Sequence, residues 1–141
     1  MDLLKLKVIT PRKIVLEETV SFVTVPTVDG EITILPKHVN LFALLGEGIV
    51  RIKSSAKEDY LAIGGGYLET NGEEVHLLVS RAYKQEEIDQ EITEKAINEA
   101  QKTLSQSRDL KQRQEAGALL RRSLIDLKLI KKRRPRRFGT G

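Results

Sequence analysis

Cysteine and tryptophan are absent from the 141 residues, and three phenylalanines and three tyrosines supply the remaining aromatic carbon. Without cysteine the chain can build neither a disulfide framework nor a thiolate metal site, and a cysteine nucleophile is excluded. With so few rings the interior must rest on leucine, isoleucine and valine, and platforms on which nucleic-acid bases could stack are scarce. Histidine is nearly absent as well. His38 and His76 stand far apart in the sequence, neither with a partner at metal-ligand spacing. Each reads more simply as a structural residue, His38 in the turn after Pro36 and His76 within an alternating strand. No stretch approaches the roughly 18 apolar residues of a membrane span. Met1 to Lys7 alternates like a strand and lacks the apolar run and cleavage site of a secretory signal. A soluble intracellular chain is expected, meeting membranes only through partners, with one modest core and an appendage.

The residues present divide the chain in two near Lys84. Residues 1–84 carry a net charge of −1 and residues 85–141 a net charge of +5. The first segment is rich in short β-branched runs: Leu4 to Ile9, Thr19 to Val25, Glu31 to Leu35, Gly48 to Lys53, Tyr60 to Ile63 and Val75 to Val79. Turn residues separate them, among them Pro11, the stretch from Pro26 to Gly30, and Asn71-Gly72, a hairpin dipeptide whose two positions both tolerate positive φ. Many short strands without intervening helices predict an antiparallel β-sandwich or barrel. From Gln85 the period becomes helical, with Ile88, Ile92, Ala96, Ala100 and Leu104 recurring every fourth residue and Ile97 widening the stripe. The run breaks at Ser105 to Asp109, where Asp109 and Gln112 have the spacing of a capping box. A second helix then presents Ala116, Leu120, Leu124, Leu127 and Ile130, and two such helices joined by a short polar link predict an antiparallel hairpin. Its apolar residues are few against the entropy of ordering the whole segment, so the helical pair is a marginal element whose position a partner can bias. Pro135 stops any regular helix, and Arg136 to Gly141 is expected to fray.

Chemistry finds little to use. Ser80-Arg81 has no base and orienting group nearby in the sequence, and the carboxylates are dispersed, so neither a nucleophile triad nor an acid/base pair can be nominated. Gly64-Gly65-Gly66 invites a phosphate-loop reading, but Tyr67 to Thr70 reads as another strand where a cradle needs a helix amino terminus. A bulge or a close backbone approach fits better. The strongest electrostatic feature is the basic run from Arg121 and Arg122 through Lys128, Lys131, Lys132, Arg133 and Arg134 to Arg137. It reads as a solvated helix face or as a phosphate-neutralising surface in a nucleic-acid-binding or other interaction module. No aromatic interleaving or known nucleic-acid motif accompanies it.

One stretch carries more information than the rest: Gly30-Glu31-Ile32-Thr33-Ile34-Leu35-Pro36-Lys37-His38-Val39-Asn40-Leu41, followed by Gly48-Ile49-Val50-Arg51-Ile52. It resembles the Gly-Glu-x-Gly-Ile-Leu-Pro-Gly-His-Ala-Pro-Leu signature and the downstream Gly-x-(Val/Ile)-Arg-Ile strand of epsilon subunits of F-type ATP synthases, whose plastid counterpart is called delta. Gly65, Gly66 and Glu69 match a further Gly-Gly-x-x-Glu segment of that family. Thr33, Lys37 and Asn40 depart from it, standing where many relatives have Gly, Gly and Pro. The resemblance implies a β-sandwich of about ten strands over residues 1–84 and a helical hairpin with a basic tail over residues 85–141. It implies a non-catalytic rotor subunit at the foot of the central stalk, coupling rotation of the c-ring to ATP synthesis. Gly30, Glu31, Leu35, Pro36, His38 and Leu41 would meet the gamma subunit and the c-ring. Arg121, Arg122, Lys128, Lys131, Lys132, Arg133 and Arg134 would lie on an arm that extends along gamma to an acidic loop of the catalytic beta subunit of the α/β hexamer and suppresses ATP hydrolysis. The implied location is peripheral, on the cytoplasmic face of a bacterial plasma membrane, with the plastid thylakoid as the other host. Some relatives bind ATP between the two helices, through an Asp-x-x-Arg-Ala segment and two arginines four residues apart. Here Asp89 and Arg122 match, but Ile92, Thr93 and Asp126 replace the rest, so two of three phosphate-facing cations are missing and no cofactor is expected.

Overall fold

The computed structural model describes residues 2–37, 40–55 and 57–132. The chain divides into two compact units, Met1–Lys84 and Gln85–Gly141. Among the described residues the first unit holds ten strands: β1 Leu4–Ile9, β2 Ile14–Val20, β3 Phe22–Thr27, β4 Gly30–Ile34, β5 Leu41–Leu45, β6 Gly48–Ser54, β7 Lys57–Ile63, β8 Gly66–Thr70, β9 Glu74–Val79 and β10 Ala82–Lys84. They form a continuous sheet in the order β10-β7-β6-β3-β5-β8-β9-β1-β2, with β4 on the other side of β3. β3 is the seam: Phe22 to Thr24 pair with β6, whereas Thr27 pairs with Leu45 of β5. Folded over itself as a sandwich, the sheet buries alternate residues along β1, β6, β8 and β9, and Leu4, Leu6, Val8, Val23, Val25 and Leu68 are all within 1% of complete burial. The core is aliphatic, as the scarcity of rings requires.

Three strand assignments differ from those the sequence predicts. The run from Thr19 to Val25 is two strands, because Ser21 breaks it and donates its N–H to Lys53 O at 2.6 Å. β2, β5 and β10 carry weak or irregular alternation and were not separable from their flanks by pattern alone. The sandwich is antiparallel except that β1 and β9 run parallel, pairing Lys5 with Glu74 and Ile9 with Leu78.

The glycines do different work. Asn71-Gly72 lies in the β8–β9 hairpin, but Gly72, with φ 90°, and Glu73 are its central pair, flanked by the Asn71 N–H to Glu74 O bond of 3.3 Å. Positive φ at the first central residue is the type II′ requirement, so Asn71 is freed to accept the N–H groups of Glu73 and Glu74, each at 2.9 Å. Gly66 is needed for space: a Cβ there would lie 2.0 Å from Leu78 O and 2.7 Å from Val79 Cα. The close-approach reading of the triple glycine therefore holds at Gly66.

The second unit opens with a 3-10 turn at Gln85–Glu87, followed by α1 Gln90–Gln106 and α2 Leu110–Lys131. Helix α1 thus starts at Gln90, five residues later than the periodicity predicts, capped by Asp89, whose Oδ1 accepts the Ile92 N–H at 3.0 Å. The link between the helices is three residues. Asp109 caps α2 through the N–H groups of Lys111 and Gln112, but the reciprocal half of the capping box is rerouted. Gln112 Oε1 accepts from Ser107 Oγ at 2.7 Å, and Ser107 Oγ accepts the Asp109 N–H at 3.2 Å. Both predicted apolar stripes are corrected. Ile92 is 66% exposed and Leu124 46% exposed, whereas Thr93, Ile97 and Ala100 of α1 and Ala116, Ser123 and Leu129 of α2 are buried. A strict fourth-residue step turns about 400°, so each step drifts about 40° round the helix, and only mixed steps of three and four stay on one side.

Gly66→Ala should lower the unfolding free energy by about 3 kcal/mol, since the clash is with backbone rather than a flexible side chain. Urea denaturation followed by circular dichroism measures this.

Candidate docking surfaces

The signature stretch begins at the β3–β4 turn. Gly30 has φ 120°, and Thr27 Oγ1 donates to Gly30 O at 2.5 Å while accepting the Asp29 N–H at 3.1 Å. Along β4 the side chains alternate: Ile32 and Ile34 face the core, while Glu31 and Thr33 face outward, Thr33 within 2.8 Å of the Thr24 hydroxyl. After Ile34 the chain turns at Pro36 and Lys37. Leu35 is 52% exposed, a large apolar side chain held out on a turn. His38 lies outside the described residues. Leu41 packs against the core, and its neighbour Phe42, 60% exposed, faces outward.

Lys37 occupies the left-handed region with φ 64°. It stands where the resembled signature has glycine, and the geometry accounts for that preference. The conformation is held from both ends of the residue: the Lys37 N–H donates to Gly72 O at 2.8 Å, and Nζ lies 3.4 Å from Asp2 Oδ2. The turn is thereby tied to the β8–β9 hairpin.

A second surface emerges from the strand register. On the outward side of the sheet, Leu44 stands opposite Tyr67, Tyr67 opposite Leu78, Leu78 opposite Ile9, and Ile9 opposite Ile14. Five strands thus line up one apolar side chain each. Leu44 is 56% exposed and Ile14 52% exposed. Phe42 extends the row, its ring centre 5.2 Å from that of Tyr67, and exposed Val28 donates its N–H to Leu44 O at 3.1 Å. Beside it runs a polar row, Glu69, His76, Lys7 and Glu17, in the same register. His76 Nε2 lies 3.1 Å from Glu74 Oε1 and Lys7 Nζ 3.6 Å from Glu17 Oε2. An isolated exposed leucine means nothing, but contiguous apolar rows rimmed by polar residues are typical of interaction sites. Sequence reasoning missed this row, although Leu41 to Leu45, apolar on both alternating faces, was the signal of a strand to be covered on both sides.

Elsewhere on the sheet a cross-strand network forms around Glu58. Glu58 Oε1 accepts from the Tyr60 hydroxyl at 3.0 Å, its Oε2 from Arg51 Nη1 at 3.0 Å, and the Arg51 guanidinium lies 5.4 Å from the Phe22 ring centre. The Tyr60 hydroxyl, with Arg51 behind it, holds the Glu58 carboxyl below its ordinary value against the opposing effect of desolvation. Partial burial, together with Glu58, pushes the Tyr60 phenol up. Arg51 of the signature is therefore engaged in a cross-strand network. Among the described residues no group of three or more His, Cys, Asp or Glu side chains could hold a metal ion.

In the helical unit the basic residues are on α2 and just beyond it. Arg121, Arg122, Lys128, Lys131 and Lys132 are exposed, and Arg133 and Arg134 lie outside the described residues. Spacings of seven and four put Arg121, Lys128 and Lys132 on one side of the helix. Lys128 and Lys131 also oppose the negative end of the helix dipole. Of the nucleotide candidates, Asp89 has its carboxylate committed to capping α1, and Arg122 is exposed in the body of α2.

Comparison with known proteins matches residues 3–85 to the family model described as ATP synthase, Delta/Epsilon chain, beta-sandwich domain. The chain is 41% identical over 104 residues to the ATP synthase epsilon chain of Carboxydothermus hydrogenoformans, covering 74% of this chain and 78% of that one. It is 38% identical over 108 residues to the ATP synthase epsilon chain of Halalkalibacterium halodurans, covering 77% and 81%. Among solved structures it is similar to a chain in the Euglena gracilis mitochondrial ATP synthase assembly of OSCP, F1 and c-ring, with a TM-score of 0.70 and 28% identity over 93% of this chain and 79% of that one.

Replacing Lys37 by glycine should stabilise the sandwich. Left-handed geometry costs a side-chain-bearing residue about 1–2 kcal/mol, more than the roughly 0.5–1 kcal/mol of extra chain entropy that glycine loses on folding. The exposed Asp2 ion pair contributes little. The expected gain, about 0.5–1 kcal/mol, is read from the denaturation midpoint at unchanged slope.

Proposed function

The chain belongs to the ATP synthase delta/epsilon family, and on that premise we propose that it works as a non-catalytic rotor subunit of the central stalk, coupling c-ring rotation to ATP synthesis. The observation that carries this reading is the outward apolar row from Leu44 to Ile14, rimmed by the charges of Glu69, Lys7 and Glu17. A rotor subunit must transmit torque without slipping, which requires a firm lateral contact. An apolar row fixed by backbone register provides one, because its side chains cannot shift relative to each other without breaking the sheet.

In this reading the gamma subunit covers the apolar row. The turn from Glu31 through Leu35, Pro36 and Lys37 towards His38 reaches the c-ring, with Gly30 setting its entry and Leu41 anchoring its exit. The sandwich of residues 1–84 is the coupling element, and residues 85–141 are the regulatory arm. Arg121, Lys128 and Lys132 on one side of α2, with Arg122, Lys131, Arg133 and Arg134, meet the acidic loop of the catalytic beta subunit and suppress hydrolysis. Among the described residues no helix is long and apolar enough to cross a membrane. We place the chain at the periphery, held through the complex at the cytoplasmic face of a bacterial plasma membrane. No observation favours the alternative of a nucleic-acid-binding module. The commitment of the Asp89 carboxylate to a helix cap, with Ile92 in place of a cation, argues against a nucleotide between the helices.

Replacing Phe42 and Leu44 together by glutamate should weaken binding to gamma at least about a hundredfold, since burying each side chain contributes on the order of 1.5–3 kcal/mol. Both side chains point away from the core, so the unfolding midpoint should hardly move. Surface plasmon resonance with immobilised gamma measures the affinity, and retained binding would sink the assignment of this face. Truncation after Lys84 should raise ATP hydrolysis by the reconstituted complex severalfold at low ionic strength, less so at high salt where the basic arm is screened. Unchanged hydrolysis would remove the regulatory role.

A further inference from the structure

Gln85 is the residue that follows β10. Its side-chain nitrogen donates to Leu129 O at 2.8 Å and to Ile130 O at 3.2 Å, at sequence separations of 44 and 45. Both acceptors lie in the last turn of α2, where the Lys132 N–H caps the same two carbonyls and each keeps a second lone pair for the carboxamide. The side chain therefore joins the start of the helical unit to the end of its second helix.

The other end of the hairpin is closed differently. Ser107, Asp109 and Gln112 form a connected network within five residues, and the Arg113 guanidinium reaches the carbonyls of Leu104 and Ser107. All these partners are within nine positions of each other, so the tip can keep its bonds while the helices part. The Gln85 contact closes a much longer loop and is lost as soon as the helix ends separate. Between the two ends, four of the six buried positions are small or polar: Thr93, Ala100, Ala116 and Ser123. Such residues contribute little apolar burial, so the open end is held by the Gln85 hydrogen bonds together with the fully buried Leu129.

We infer that Gln85 is the latch of the helical arm: its carboxamide holds the carboxyl-terminal end of α2 closed, and its release is the first step by which the arm opens. This rests on the reading of residues 85–141 as an arm with closed and extended states. A donor is required at this position, because the groups it faces are carbonyl oxygens, which accept and cannot donate. Gln85→Leu removes the donor at similar volume. Gln85→Glu replaces it by a carboxylate that repels the two oxygens. Gln85→Asn keeps the chemistry but shortens the reach by a methylene.

Hydrogen exchange on the full chain provides the first measurement. Amides of the last turn of α2 should exchange about tenfold faster in Gln85→Leu, the change expected for two lost neutral hydrogen bonds, and faster still in Gln85→Glu. Gln85→Asn should fall between wild type and Gln85→Leu, and exchange in the sandwich strands should stay unchanged, which controls for folding. In the reconstituted complex, Gln85→Leu should lower ATP hydrolysis by about threefold, because more arms are open. Unchanged exchange at the α2 end would overturn the latch, whatever hydrolysis does. Faster exchange with unchanged hydrolysis would also overturn it as a control point, provided truncation after Lys84 still alters hydrolysis, and the arm reading would survive. If neither the truncation nor the Gln85 variants change hydrolysis, the arm reading itself falls and the latch falls with it.

Discussion

Strand register is the constraint on which the rest of the molecule depends. Side chains alternate faces with a period of two, so a one-residue slip of β9 against β8 would exchange Leu77 in the core for Leu78 on the outside. Gly66 helps prevent this, since the backbones approach too closely there for any other residue. The same register creates the outward apolar row, to which five strands each contribute a side chain chosen by pairing and not by sequence proximity. Core and docking face are two sides of one pairing pattern. Few changes to the pattern could alter one side and spare the other.

Much of this was legible beforehand, and what was not has identifiable causes. The strands with clean alternation, β1, β4, β6 and β9, were readable because one face is buried and the other wet. β5 was missed because both of its faces carry apolar residues, and β10 because three residues are too few to show a period. The apolar row could not be read at all: Ile9, Ile14, Leu44, Tyr67 and Leu78 come from five strands, and their alignment depends on non-local pairing. The signature turn was recognised from its residues, but the reason for glycine at position 37 appears only with the backbone angle. On the helices the predicted stripes were right at Ile97, Ala100 and Ala116 and wrong at their edges. Ile92 and Leu124 fit a fourth-residue step, which leaves a helix face after two turns, and the buried positions were taken by Thr93 and Ser123.

The two units show contrasting kinds of stability. In the sandwich, sixteen buried residues form one aliphatic cluster, and polar groups such as Thr24, Thr33, Thr70 and Asn71 find partners within the hairpins. In the helical unit, order relies on caps: Asp89 for α1, and Asp109 with Ser107, Gln112 and Arg113 around the link. Caps fix where a helix begins and ends without fixing what it packs against. A segment built this way keeps its helices while changing their neighbours. The sandwich cannot do so, because most strands of its core are paired on both edges.

The parallel pairing of β1 with β9 has a consequence for the chain as it is made. β1 leaves the ribosome early and can pair with β2 at once across a short turn, but its other edge must wait for Glu74 to Leu78. Until then Leu4, Leu6 and Val8 have no second strand to shelter them, and the β1–β2 hairpin is a bare edge open to other nascent chains. Closure of β1 into the sandwich is thus deferred until nearly all of it has been synthesised. Synthesis and closure are coupled by the placement of one strand, and a pause in translation just before Glu74 would prolong the interval in which the chain is most prone to aggregate.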